Sequence, residues 1–405
     1  MAEIEGSEFK NQNDFLITKD NRQIGGELIK ELVEAGGSWT SLMLSPKVSK
    51  FFRLPYLIPY CNDPKLVGIE PPEEWIKEPR TNEKPKIIYC TWMSTGIKVD
   101  LPFIKRQIEA FKKIEIHPNV FIIDAGWFTQ PGDWLSVNKK KFPHGLEEAT
   151  KLLRENNIEP WLWWGPYNVD KKSQLAKTHP DWLVKKGEKP LSFNYYYKTG
   201  LFPPHYILDP RNINSQNYLE EVEKKFKDWG FAGIKADFLS MPFFIPEITQ
   251  KEALKLIHET IRGLKEKGLK VLACGCPFSA AVGVADYIRV SNDSGFPLIK
   301  NNKINEIMAD HSLLGVKKNR KLVQKFGIIP DPDMYYSSHI NKKGLEKLEE
   351  AQKYSIRRYG CLTVGDDFSS LSPEQIKAIK ELEQRFKRCQ RLVEFLKAKH
   401  TDQKS

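Results

Sequence analysis

From residue 86 onward, eight short apolar runs recur at a spacing that leaves room for a helix between most of them. They are "KIIYCTW" (86–92), "VFIIDAG" (120–126), "EPWLWWG" (159–165), "AGIKADF" (232–238), "KVLACG" (270–275), "YIRVSND" (287–293), "FGIIPDPDM" (326–334) and "CLTVGDD" (361–367). Amphipathic helical patterns fill the gaps. "DLPFIKRQIEAFKKIEI" follows the first run behind an Asp100 cap, and "HGLEEATKLLRENN" follows the second. "INSQNYLEEVEKKFKDWG" precedes the fourth and stops at Gly230, and "SPEQIKAIKELEQRFKRCQRLVEFLK" follows the eighth from a Ser-Pro start. Alternating strands and helices bury a parallel sheet beneath the helices, and eight such units predict an α/β fold, a (β/α)8 TIM barrel. The competing arrangement is an open doubly wound sheet, but no G-x-G-x-x-G follows the first run and no P-loop is present. Two gaps depart from the rhythm. The third-to-fourth is about twice the usual length, and the fifth-to-sixth is too short for a full helix. Long insertions after a strand are where binding loops live.

The barrel is expected at 86–398, preceded by a short N-terminal extension of unclear fold at 1–85 and followed by a polar tail at 399–405. The extension mixes short apolar runs with "SPKVSK", "CNDPK" and the Pro-rich "IEPPEEWIKEPRTNEKPK". The first residues are polar and acidic, with no apolar core of a leader, and no run of 18 apolar residues exists. The six cysteines show no metal-ligand repeat. A cytoplasmic setting with reduced thiols and no membrane partner is the expectation. The net charge of +11 raises the question of nucleic acid. The lysines alternate with glutamates, as in "ITQKEALKLIHETIRGLKEKG", which is the pattern of a solvated helix face, so no nucleic-acid partner is expected.

One run is odd. Lys235 and Asp237 lie two apart inside the apolar fourth strand, so both side chains point to one face. Two buried charges are costly unless paired or used. Function in such a barrel sits at the carboxyl ends of the strands. Those ends read Trp92; Asp124; Trp163; Lys235 and Asp237; Cys274 and Cys276; Arg289 and Asp293; Asp331 and Asp333; Asp366 and Asp367. Polar strand ends also arise simply because they meet solvent, and for the last four aspartates turn formation and helix capping compete equally with function. Retaining glycoside cleavage needs two carboxyls, one ionised and one protonated, with flat rings for the sugar's C–H face, and this set supplies them. Other uses of the same residues are a Schiff base on Lys235 and a divalent cation on the paired aspartates. The eight histidines form no H-x-H or H-x-x-H, which disfavours a transition metal, and G-x-S-x-G is missing.

In chain order, "IDAGW", "GDW", "KFPHGL", "WLWWGPYNV", "HPDW", "YILDPRN", "GIKADF", "ACGCP", "VADYIRVSND" and "PDPDM" resemble the barrel of the melibiase-type α-galactosidases, glycoside hydrolase family thirty-six, over about residues 86–370. The lysosomal-type α-galactosidases are a sister group. The resemblance implies a retaining double displacement on terminal non-reducing α-galactosyl groups, with no metal and no cofactor. The K-x-D motif makes Asp237 the nucleophile, with Lys235 on the sugar hydroxyls. The R-x-x-x-D motif makes Asp293 the acid/base beside Arg289. Cys274 and Gly275 match the family's pocket loop, and Trp92, Asp124 and Trp163 match further substrate-binding positions.

The sequence departs from this family twice. Where its second strand ends in two adjacent aspartates, this chain has Asp124 and Ala125; Asp133 of "GDW" is expected to compensate. The family's β-domains, one before and one after the barrel, are expected to be missing, since about 85 residues precede the barrel pattern and only the last helix and a polar tail follow it. That absence brings a partner into view, either a homo-oligomer or a partner chain supplying those domains. Two other outcomes of the same resemblance are an α-galactosyl transferase of the raffinose-synthase type and a carbohydrate-binding protein with weakened catalysis.

Overall fold

The computed structural model of the chain describes residues 15–17, 23–25, 71–78, 81–193, 205–246, 248–291, 293–297 and 302–402. Most of the 1–85 extension lies outside the described residues; within it Phe15–Ile17 pairs antiparallel with Gln23–Gly25.

All eight apolar runs form strands: β1 (Ile87–Cys90), β2 (Val120–Ile123), β3 (Glu159–Trp164), β4 (Gly233–Ala236), β5 (Lys270–Ala273), β6 (Tyr287–Arg289), β7 (Ile329–Asp331) and β8 (Leu362–Val364). They are short and almost wholly buried, as strands covered on both faces must be. Every neighbouring pair from β8 through β1 to β7 is parallel. The seam between β7 and β8 is drawn together by the Cys361 N–H donating to Pro330 C=O (3.0 Å) and the Thr363 hydroxyl donating to Asp331 (2.6 Å). The (β/α)8 barrel expected from the sequence is the fold observed.

Among the described residues, seven long helices surround it: α1 (Leu101–Ile114), α2 (Glu147–Glu155), α3 (Ile213–Asp228), α4 (Gln250–Glu266), α5 (Asn302–Lys325), α6 (Lys342–Ile356) and α7 (Pro373–Asp402). Their ends follow local chemistry. Asp100 caps α1 by accepting from Phe103 N–H (2.8 Å), and Thr249 and Glu252 form a reciprocal capping box on α4. Past α3 the chain turns at Gly230, where φ is +89°. Between β5 and β6 there is room only for a four-residue helical turn, Phe278–Ala281, as the short gap foretold.

The long β3–β4 gap holds its own small antiparallel sheet, with Asn168–Asp170 and Ser192–Phe193 flanking His205–Ile207. At the opposite, amino-terminal mouth of the barrel, Lys86 and Lys270 bridge Glu83 and Glu159 at 2.5–3.3 Å. That network closes the floor, and it is the face where a barrel invests in stability rather than chemistry. Before β1, Trp75 of the short helix Glu73–Lys77 stacks on His258 of α4 at 3.7 Å, so packing on the barrel begins ahead of residue 86.

Candidate active site

The carboxyl ends of the strands converge on Asp237. It follows the last residue of β4, and its N–H still donates to Trp164 C=O of β3 (2.7 Å), so the ladder fixes its direction. Its carboxylate accepts from the Trp163 indole N–H (3.0 Å) and from the Phe238 N–H (2.7 Å). Phe238 turns the chain away at φ +55°, a region that non-glycine residues enter at a cost of about 1 kcal/mol. Burial alone would push the Asp237 carboxyl up. The charges of Arg289 and Lys235, with the two hydrogen bonds, outweigh it and hold the group below its ordinary range, hence ionised at neutral pH.

Lys235 shares that face but takes a different partner. Its Nζ lies 2.8 Å from Asp124 Oδ2 at the end of β2, with both side chains almost completely buried. Asp124 also accepts from the Cys90 thiol (3.1 Å) and the Ala125 N–H (2.8 Å). Burial works against the Lys235 charge, but Asp124 foremost keeps its pKa well above the ordinary lysine value. Such an ammonium holds its proton and is a poor amine nucleophile, which weakens the Schiff-base alternative.

Asp293 stands beyond the end of β6. Arg289 contacts it at 2.7 Å and reaches toward Asp333 at 3.7 Å. The Asp293 side chain retains 30% of its surface, the most open of these carboxyls. Its pKa is pushed up to about 6, first by removal from water, then by the neighbouring Asp333 and Asp237, against the pull of Arg289. Two carboxyls that feel one another and one guanidinium are thus driven in opposite directions, the arrangement that separates an ionised from a protonated role.

The remaining candidates fall into place around them. Trp163 is buried, and Trp92 is half-buried with its ring edge-on to Phe296 (5.7 Å). Cys274 is buried among Arg289, Asp237 and Lys235, and burial lifts its thiol far from ionisation. Gly275 adopts φ +56°, and its carbonyl accepts from Ser240 N–H (2.8 Å). Asp133 is not part of this group. Its two carboxylate oxygens accept from Gln174 N–H and Leu175 N–H, both at 3.0 Å, capping the short helix Gln174–Thr178 in the β3–β4 excursion. It is spent on that cap and does not stand in for the acid missing at Ala125. Asp367 likewise caps the turn Phe368–Ser370, while Asp331 and Asp366 are buried at the ends of β7 and β8 and pushed up to about 6 by burial. Sequence reasoning missed Cys90, a ligand of Asp124; its place as the last residue of β1 was the available signal. Among the described residues no group of three or more His, Cys, Asp or Glu could hold a metal ion.

Several known proteins resemble parts of this chain. Residues 74–198 match the family model described as Melibiase. An A type blood alpha-D-galactosamine galactosaminidase of Flavonifractor plautii is 32% identical over 126 residues, 30% of this chain and 12% of that protein. Alpha-galactosidase Mel36A of Lactobacillus acidophilus is 31% identical over 112 residues, 26% of this chain and 15% of that protein. This chain therefore matches less than a sixth of the length of either relative. The solved structure of TtGalA, an alpha-galactosidase from Thermus thermophilus in complex with stachyose, superposes with a TM-score of 0.63 at 23% identity, covering 76% of this chain and 68% of that one. That likeness shows the barrel.

Proposed function

We propose that this chain, a melibiase-type protein, is a retaining α-glycoside hydrolase that removes terminal non-reducing α-galactosyl groups. The observation that carries the proposal is the pair of carboxyls at the strand ends, Asp237 hydrogen-bonded and held ionised and Asp293 on Arg289 and held up at about 6, with the Arg289 charge acting on both. In the first step Asp237 attacks the anomeric carbon while Asp293 gives its proton to the glycosidic oxygen, and the leaving group departs. In the second, Asp293 takes a proton from water, which displaces Asp237 and restores the starting configuration. The Trp163 and Phe238 hydrogen bonds aim the nucleophile. Asp124 and Lys235, already paired, present a fixed polar floor to the sugar hydroxyls, and Trp92 offers a flat wall. Arg289 steadies Asp293 without stripping its proton, because Asp333 also draws on the guanidinium and its charge raises the Asp293 carboxyl.

Free thiols at Cys90, Cys274, Cys276, Cys361 and Cys389 support a cytoplasmic setting. A partner, either a second copy or a chain bringing β-domains, is supported by Leu392, Phe395 and Leu396 on α7, each about half exposed at helical spacing. The test is hydrolysis of an aryl α-galactoside beside the matching α-glucoside and α-N-acetylgalactosaminide, with Asp237→Asn as control. Release from the galactoside, lost in the variant, upholds the proposal. Release from another sugar alone moves the specificity to Ala125. Release that survives Asp237→Asn overturns it.

A further inference from the structure

The two carboxyls are held in different ways. Asp237 is fixed by the barrel itself, since its N–H still joins the ladder to β3. For β6 the last such bond is Val290 N–H to Asp331 C=O (3.0 Å), before the chain reaches Asp293. Asp293 therefore lies on the connection between β6 and α5, outside the sheet. That connection is gripped by the β7–α6 turn. Ahead of Asp293, the Ser291 hydroxyl donates to Pro332 C=O (2.9 Å). Behind it, the N–H, the hydroxyl and the carbonyl of Ser294 all meet the same turn. The N–H donates to Asp333 Oδ2 (2.6 Å), the hydroxyl donates to Met334 C=O (2.8 Å), and the carbonyl accepts from the Tyr336 hydroxyl (3.0 Å). A Cβ at Gly295 would collide with that Tyr336 hydroxyl, so the glycine is what lets the ring approach.

We propose that the β7–α6 turn is a clamp that places the Asp293 carboxyl for proton transfer, with Ser294 and Tyr336 as positioning residues. The inference rests on the hydrolase reading above and extends it to residues that act only through Asp293. The turn is itself firmly anchored. The Asp333 carbonyl accepts from Gln352 Nε2 of α6 (2.6 Å), and Gln352 Oε1 accepts from the Thr363 N–H of β8 (3.1 Å). Tyr335 is tied to the same strand end, its N–H donating to Thr363 C=O (2.8 Å) and its carbonyl accepting from Gly365 N–H (2.9 Å). Asp333 holds φ +67°, a left-handed conformation that glycine enters freely and aspartate does not, so the surrounding contacts impose it. The clamp is also dry. Ser294, Asp333, Met334 and Tyr336 are all buried, so a bond broken there finds no water to replace it. Finally, position and charge are set by one residue. The Asp333 that holds the Ser294 N–H stands 3.7 Å from the Arg289 guanidinium, which contacts Asp293 at 2.7 Å. Proton transfer needs heavy atoms about 2.6–3.2 Å apart, and a misplacement of about 1 Å can cost a hundredfold in rate.

The test uses Tyr336→Phe in the full chain, which keeps the ring and removes only the hydroxyl. It compares kcat/KM for a galactoside with a sugar leaving group, which needs the proton, with kcat/KM for an activated aryl galactoside, which needs little. A merely structural role would lower both together. A misplaced acid lowers the first alone, so the ratio of the first to the second is expected to fall about ten- to a hundredfold. A ratio that falls by less than about tenfold overturns the proposal. Should Tyr336→Phe fail to fold, Ser294→Ala, which loses the bond to Met334, is judged by the same ratio. Failure of the hydrolase reading is seen separately, as no turnover of either substrate by the unmodified chain. In that event the Asp293 carboxyl is titrated by NMR of labelled aspartate, its signal assigned with Asp293→Asn. A carboxyl freed from the clamp gains water, and its pKa moves down toward the ordinary range. A fall of about half a unit or more in Tyr336→Phe upholds the clamp, and a smaller change or a rise overturns it.

Discussion

Asp333→Asn isolates the charge balance on which the proposed acid depends. Asp333 raises the Asp293 carboxyl directly and also competes for Arg289, at 3.7 Å against 2.7 Å for Asp293. Asparagine keeps an oxygen for the Ser294 N–H, which Asp333 holds at 2.6 Å, so the turn is retained while the charge is lost. The Asp293 carboxyl is held up at about 6 against an ordinary 3.8, which favours its protonated form. An acid catalyst acts when protonated, so activity is lost as pH rises through about 6. At pH 7 about one Asp293 in ten carries its proton. Removing the Asp333 charge is expected to lower the basic limb by about one unit and the rate at pH 7 about tenfold. The assay is kcat/KM from pH 4 to 9 on a galactoside with a sugar leaving group, alongside an activated aryl galactoside whose departure needs little protonation. The limb should move down for the first substrate and be nearly flat for the second. A limb that stays, rises, or is equal for both substrates would refute the assignment.

Three further outcomes follow from other contacts. Trp163→Phe keeps the ring but removes the indole N–H from Asp237, a charge-assisted bond worth about 1.5–3 kcal/mol; the acidic limb of the profile should shift upward and kcat/KM fall about ten- to a hundredfold. Lys235→Met leaves Asp124 buried without its cation and should destabilise the fold by about 3–5 kcal/mol in denaturant titration, with part of the loss recovered in the Asp124→Asn, Lys235→Met double variant. Glu223, buried against Gly263 of α4, is pushed up from 4.5 to about 8 by burial, so the folded state binds its proton more tightly and stability falls as pH rises between those values. Glu223→Gln should flatten that fall by up to about 1.4 kcal/mol per pH unit, read as melting temperature against pH.

The barrel was legible because its strands are continuous apolar runs with caps and glycine stops between them, and these are local signals. Asp100, Gly230 and Ser372 mark their helices in the sequence as they do in the structure. The candidate pair was legible for a different reason. A lysine and an aspartate inside the fourth run violate the apolar pattern, and that conflict marked the site. Partner choice was not legible. Alternation places Lys235 and Asp237 on one face, but which carboxylate the ammonium meets depends on how β2 lies across the barrel, and it meets Asp124. Asp133 failed for the same reason: its amide partners, Gln174 and Leu175, come from an excursion forty residues on, whose short strands leave no periodic trace. Gly233 is a final case. It reads as a weak spot in a strand, yet a Cβ there would sit 2.5 Å from the Trp161 indole, so the glycine makes room for a ring that fills the barrel.

The most direct test of the central claim is to incubate the protein with a fluorinated galactosyl donor that forms the glycosyl-enzyme readily but releases it slowly, and to map the adduct by peptide mass spectrometry. The account predicts one galactosyl adduct, as an ester on Asp237, and none in Asp237→Asn. An adduct on Asp293 or Lys235, or turnover of ordinary galactosides with no adduct at all, would contradict it.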